Sequence, residues 1–312
     1  MKIAFFTEME GFNGKISRRH DNMRVEFAWM CALNADHFFY TDIPDTYYDK
    51  IFVLSSKTKS HLIDIEKIKS YGKIICMLQE GPYWTFQDSD ISTQINYFNN
   101  LITADIIYAH NELDSVYYKG LTGHKDVRVI KSLMIEDSIK DLKDVNVDRS
   151  GVIIGGNFCS WYGGFDSYIV AQTLDEKIFI PSMGRKIDGE ENMDNLHHLP
   201  YMNWVEWIKK LNNFKYAVHL MRTHAAGTFA LNCAYLGIPC IGYRGVDTQQ
   251  ELHPFTSVEI GDIDSAKKII KRLKEDKWWY NECSIHAQRL YEKHFSERVY
   301  IKHMENILNE TD

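Results

Sequence analysis

Short apolar runs alternate with longer segments of mixed polarity along most of this chain. In the first half the runs fall at residues 2–6, 37–40, 50–54, 73–78, 105–109 and 127–130, each rich in Ile, Val or Phe. Continuous apolar runs of this length suit strands buried on both faces, so they predict a parallel sheet covered on both sides. The stretches between them are long enough for helices. Over residues 24–33, Phe27, Met30 and Cys31 fall on one helical face, in line with Met23. Residues 137–150 are charged and carry no apolar stripe, which marks a linker. The rhythm restarts with runs at 151–155, 177–180, 216–220, 239–243 and 257–260, and with predicted helices at 203–211 and 227–236. From residue 264 the pattern is helical to the end, with Ala266, Ile269, Ile270 and Leu273 in one stripe. Two α/β domains with doubly wound parallel sheets follow from this, over residues 1–136 and 150–291. Open sheets of this kind bind ligands at the carboxyl ends of their strands, so chemistry is expected in the loops that follow strands and face a cleft.

The richest of those loops begins at Arg222 and leads through Thr223, His224, Gly227 and Thr228 into the helix predicted at 227–236, which ends in a Gly237-Ile-Pro239 corner. A helix N-terminus presents unpaired N–H groups and a partial positive charge, a natural seat for phosphate. Arg222 suits a diphosphate as a bidentate partner, and it equally suits an ordinary surface salt bridge beside a helix cap. Asp247, with Gln249 and Gln250, lies after the next strand and suits sugar hydroxyls, or else forms a solvated turn around Gly245. Gly156, Trp161 and Tyr162 follow the first strand of the second half, where paired glycines permit close backbone approach and the rings suit a base or a cover for the cleft. Arg185 follows another strand as a phosphate contact, and Tyr201 with Met202 precedes a helix where a nucleobase would lie.

On the facing half, residues 7–22 read as one long loop, and long loops within domains are often functional. It holds His20 and Asp21 as candidate bases, together with Glu8. Beside them stands a basic cluster of Lys15, Arg18, Arg19 and Arg24, which suits an anionic acceptor or a solvated face. A base working near neutral pH is most economically a histidine. Glu80 and His110 also follow strands and are secondary candidates, Glu80 for catalysis and His110 for the acceptor.

The length of 312 residues favours two domains, and 45% hydrophobic with 25% charged residues excludes wholesale disorder. A net charge of −7 argues against a dedicated non-specific nucleic-acid binder. Six cysteines without a CxxC pair read as reduced, buried thiols, and the N-terminal apolar run is too short for a signal peptide; both point to a cytoplasmic protein without a membrane span. His197 and His198 are adjacent and diverge, no HExxH or DxD occurs, and no metal is expected.

Residues Gly155–Gly156, Ser182-Met-Gly184, Leu199-Pro-Tyr-Met202 and the stretch 223–242 together resemble the GT-B superfamily of glycosyltransferases. The resemblance implies two facing Rossmann-like domains, with a final helix at about 292–312 packing back on the first. It implies a nucleotide-sugar donor in the second domain, expected to be UDP-linked, with no further cofactor, and an acceptor in the first. That acceptor is a glycan, a small molecule, or a phosphate-bearing one such as nucleic acid. Where common retaining families carry two Glu, this chain has His224 and Asn232. Two rival readings are a nucleotide-sugar epimerase and a non-catalytic bilobal ligand-binding protein.

Overall fold

The computed structural model describes residues 1–56, 59–79, 89–123, 126–142, 147–158, 162–182, 187–222 and 227–309. These residues form two sheets. The first comprises β1 (Ile3–Thr7), β2 (Gly14–Lys15), β3 (Asp36–Phe39), β4 (Tyr48–Ser55), β5 (Gly72–Gln79), β6 (Ile106–Ala109) and β7 (Val127–Val129), in the order β2-β3-β1-β4-β5-β6-β7. Every pairing is parallel except β2 with β3. Successive residues of a strand point to opposite faces, and the packing follows that rule. Ile3, Phe5, Phe52, Leu54, Cys76 and Leu78 fill one core, whereas Ala4, Phe6, Ile51, Val53, Ile75 and Met77 fill the other. Helices α1 (Val25–Ala32), α2 (Ile65–Lys69), α3 (Ile91–Thr103) and α4 (Glu112–Thr122) lie between these strands in the chain.

The second sheet comprises β8 (Val152–Ile154), β9 (Ile178–Ile180), β10 (Leu196–His198), β11 (Tyr216–His219), β12 (Cys240–Tyr243) and β13 (Ser257–Val258), all parallel, in the order β10-β9-β8-β11-β12-β13. Its helices are α5 (Gly164–Ala171), α6 (Trp204–Leu211), α7 (Thr228–Leu236), α8 (Asp247–Leu252), α9 (Ile263–Glu275) and α10 (Lys277–His294), followed by α11 (Glu297–Asn309). The chain steps outward from β8 to β10 and then returns to the other side of β8 with β11. The carboxyl ends of β8 and β11 therefore flank a point where strand order reverses, which is where such sheets open a ligand crevice.

The halves are tied together by a crossing segment and by the last helix. Leu133 and Ile135 join the core of the first sheet while Met134 and Ile139 join that of the second, and Trp204 packs against both. The Val205 N–H at the start of α6 donates to the Asp21 carbonyl at 3.0 Å. Tyr300, Met304 and Leu308 of α11 lie in the first core, where the Trp29 indole N–H donates to the Tyr300 hydroxyl at 2.9 Å. No helix among the described residues is long and apolar enough to cross a membrane.

The apolar runs and the strands coincide to within a residue or two. β2 and β10 were not anticipated, because two and three residues at a sheet edge, Gly-Lys and Leu-His-His, carry no apolar run. The expected loop at 7–22 contains β2, and the expected loop after β12 folds as α8.

Candidate functional site

A cavity of about 390 Å³ lies between the two sheets. Met23, Arg24, Val25 and Glu26 at the start of α1, with Leu133 and Met134 of the crossing segment, form one wall. The opposite wall is the sheet-reversal point: Gly155 after β8, His219 and Met221 at the end of β11, and Gly227, Thr228, Phe229 and Asn232 of α7. Pro181, Pro200, Met202, Trp204 and Trp207 give it a broad apolar surface. A volume of this size, mostly apolar with a few convergent polar groups, is characteristic of a small-molecule site.

α7 is apolar on every side except at Asn232 and is buried from Phe229 to Leu236, as expected of a helix enclosed by its domain. It begins after Gly227, whose φ of 67° lies in the left-handed region, and the Thr248 hydroxyl donates to the Gly227 carbonyl at 2.8 Å. It stops at Gly237, again at φ 67°. Its N-cap residue, Gly227, has no side chain with which to cap the first turn. The orphan N–H groups and positive end of the helix dipole therefore sit where Gly227 and Thr228 line the cavity.

Two buried polar atoms on this wall have no hydrogen-bond partner among the described residues: Asn232 Oδ1 and His219 Nε2. Asn232 is 3% exposed. The His219 ring packs edge-on against Phe229, centroids 5.1 Å apart, and Tyr162 lies 6.4 Å away. Burial pushes the His219 imidazole down to about 4, so it is neutral at physiological pH. A buried polar group left unpaired costs about 1–3 kcal/mol; both residues line the cavity through other atoms, so a modest turn of either side chain would bring its polar atom to a ligand. Facing them, Glu26 is buried with its carboxylate held by the Arg24 guanidinium at 2.6 and 3.0 Å.

Of the residues singled out from sequence, the cavity gathers Gly227, Thr228, Met202, Tyr162 and Arg24. Tyr201 lies between two lining residues yet is 72% exposed and points elsewhere. Gly156 is excluded from the lining, because a Cβ there would meet Tyr162 Cβ at 2.7 Å; its lack of a side chain serves chain packing, not ligand approach. Arg222 adopts the salt-bridge alternative, donating to Asp166 at 2.8 and 3.3 Å, and the Tyr243 hydroxyl shares that carboxylate at 3.2 Å. Gln249 is buried and structural, donating to the Cys240 carbonyl at 3.0 Å and to Ser257 Oγ at 3.1 Å.

On the facing half, Arg18 leaves the acceptor set: it spans Asp137 and Glu297, each at 2.6 Å, and so clasps the crossing segment to α11. Lys15 pairs with Asp36 at 3.1 Å. His110 is buried and stacked on Trp29, centroids 5.4 Å apart, away from the lining. His20 packs edge-on to Phe27 and its Nδ1 accepts from the Asn22 N–H at 3.0 Å; neither it, Asp21 nor Arg19 lines the cavity. Glu80, Trp161, Arg185, Thr223 and His224, and the side chain of Asp247, lie outside the described residues. Sequence reasoning missed Glu26 and His219 and noted Asn232 only as a departure from a family pattern. The available signal was a lone polar residue inside an apolar element: Glu26 in VEFAWMCA and His219 closing YAVH.

No protein-family model and no curated protein matches this sequence. Solved structures do match in fold. Sucrose-phosphate synthase from Thermosynechococcus elongatus superposes with a TM-score of 0.69 at 11% identity, covering 99% of each chain. HepE from Anabaena in complex with UDP and glucose gives 0.70 at 9% identity, and its complex with UDP-glucose gives 0.70 at 10%, each covering 99% of this chain and 100% of that one. The chain therefore has the GT-B fold, two Rossmann-like sheets facing a cleft.

Proposed function

We propose that this protein is a glycosyltransferase that moves a sugar from a nucleoside diphosphate to an acceptor hydroxyl within the cleft. The observation that carries the reading is the α7 wall: a helix that starts at the cavity behind a glycine N-cap, with the polar side chains of Asn232 and His219 lining the cavity beside it. A diphosphate suits the helix end, and a ligand rich in hydroxyls suits the polar side chains of the lining, Asn232, His219 and Glu26. The apolar surface of Pro200, Met202, Trp204 and Trp207 suits a base or the face of a sugar ring. The UDP and UDP-glucose bound to the HepE structures support a UDP-linked donor.

In the reaction the bond from the anomeric carbon to the phosphate oxygen breaks, and its electron pair goes to the diphosphate. Negative charge grows there, where the fixed amide dipoles at residues 227 and 228 stabilise it without reorganisation. A bond forms from the acceptor oxygen to the anomeric carbon, and the acceptor hydroxyl gives up its proton to the Glu26 carboxylate. Glu26 is the acceptor-side carboxylate: it faces the donor wall from the first sheet, is oriented by Arg24, and accepts the hydrogen bond of an incoming hydroxyl. An opposed carboxylate favours a two-substrate transfer over epimerisation of the donor alone.

The test is a thermal-shift screen of nucleoside diphosphates and nucleotide sugars, followed by assay of diphosphate release with and without acceptor sugars. A ligand at 100 times its Kd stabilises the folded state by about 2.7 kcal/mol, so UDP or a UDP-sugar should raise the melting temperature, and release should need an acceptor. A screen in which no nucleotide raises it at millimolar concentration removes the donor assignment.

A further inference from the structure

The outer faces of α3 and α4 carry an apolar patch that nothing in the proposed reaction uses. On α3 the exposed side chains are Ile91, Ile95, Phe98 and Ile102, and on α4 they are Leu113, Val116 and Leu121, with exposures between 37 and 68%. The inward faces of the helices are conventional: Tyr97, Asn100 and Leu101 of α3 and Tyr118 of α4 are buried, and the Tyr97 hydroxyl donates to that of Tyr118 at 3.2 Å. The two helices thus lie side by side. Seven side chains exposed to this degree amount to on the order of several hundred Å², the size at which an exposed apolar patch marks an interaction site. It approaches the roughly 800 Å² that each partner contributes to a standard interface.

We propose that a second copy of this chain covers this face, pairing α3 with α3 in antiparallel fashion about a two-fold axis. The spacing along α3 carries the choice. Steps of four, three and four residues from Ile91 to Ile102 form a two-heptad seam of the kind that packs knobs into holes of another helix. The seam is also its own complement. In an antiparallel pair centred between residues 96 and 97, Ile91 meets Ile102 and Ile95 meets Phe98, and the reciprocal contacts repeat across the axis, as an isologous interface requires. Gly120 of α4 has open space at its missing Cβ, which leaves room for close approach alongside the seam.

Charge disfavours a lipid surface as the occupant. Residues 91–103 contain no Lys, Arg, His, Asp or Glu. Helices that lie on membranes pair an apolar face with a Lys- or Arg-rich one. The chain's net charge of −7 also repels an anionic bilayer.

Sedimentation velocity from 1 to 100 μM, with Ile95→Glu and Ile102→Glu, tests this on the full chain. Wild type should sediment as a dimer, and each substitution should raise the dimer dissociation constant at least tenfold. Both positions are solvent-facing in the single chain, so melting temperature at low protein concentration and response to nucleotides should not change. The register is read by the double variant I91C/I102C. Those positions are too far apart on one helix to cross-link, so oxidation should give a covalent dimer on a non-reducing gel, abolished by adding Ile95→Glu. A wild-type monomer throughout the range overturns the proposal, as does a dimer indifferent to both glutamates. So does a monomer that binds phosphatidylcholine–phosphatidylserine vesicles through the same residues.

Discussion

Asn232 sits one turn inside α7 with its amide oxygen shut off from water and from every described donor. A core residue with that fate is normally selected against, because a leucine of similar volume would fill the space without an unpaired oxygen. Asn232 lines the cavity through its other atoms, so a small turn of its amide toward a bound ligand would give the oxygen a partner. Asn232→Leu is therefore expected to move two quantities in opposite directions. The free protein should keep or gain stability, by about 1 kcal/mol. Affinity for the nucleotide sugar should fall tenfold or more, which is about 1.4 kcal/mol. Calorimetric titration and thermal denaturation of the same preparation read both. Undiminished affinity in a well-folded Asn232→Leu protein would remove the residue from the donor site.

α7 is the element on which the site is built, and its start depends on one backbone geometry. At Gly227 the φ of 67° is one that residues with a side chain avoid, and a Cβ would lie 1.8 Å from Thr248 Oγ1 and 2.7 Å from Val246 Cγ1. Gly227→Ala therefore combines backbone strain with overpacking and is expected to cost about 2–4 kcal/mol. Urea denaturation should show the midpoint shifted with an unchanged slope, and a loss below 1 kcal/mol would mean that the turn relaxes. Lost activity in this variant reports on folding and not on phosphate contact. The helix itself was legible in sequence because its two boundary glycines and its apolar body are local features. So were the parallel strands, since burial on both faces writes itself as an unbroken apolar run. What a local pattern does not carry was missed or misread. Arg18 looked available for an anionic acceptor because its partners, Asp137 and Glu297, are 119 and 279 residues away. The polar stretch after β12 looked like a sugar-reading loop because the buried acceptors of Gln249, on β12 and β13, become visible only once the sheet is assembled.

Across the whole molecule, folding encloses imidazoles that have no means of carrying charge. His253 is buried with Nε2 donating to the Ala230 carbonyl at 2.9 Å and Nδ1 accepting from the Cys240 N–H at 3.4 Å, so a proton on Nδ1 would face another N–H. Burial holds its imidazole down at about 4, the same as His219. His37, between Thr7 Oγ1 and the Phe12 carbonyl, is lowered by burial as well. Above pH 6.5 these groups are neutral in both the folded and the unfolded chain and leave stability untouched. Below it the unfolded chain takes up protons that the native state refuses, so stability is lost as pH falls from 6.5 to about 4. Each of His219 and His253 contributes a loss on the order of 2 kcal/mol by pH 5. The helix-capping carboxylates Asp90 and Asp262, held below their ordinary range by hydrogen bonds from Ser92, Thr93 and Ser265, act only at lower pH and leave this window to the histidines. The melting temperature should therefore drop by several degrees between pH 7 and pH 5. His253→Gln offers a donor and an acceptor without a titrating proton, and should make that drop shallower by about one histidine's share. Calorimetric scans at half-unit steps resolve the slope. A melting temperature flat across this range, or a His253→Gln profile that parallels wild type, would show that these imidazoles become charged without opening the fold.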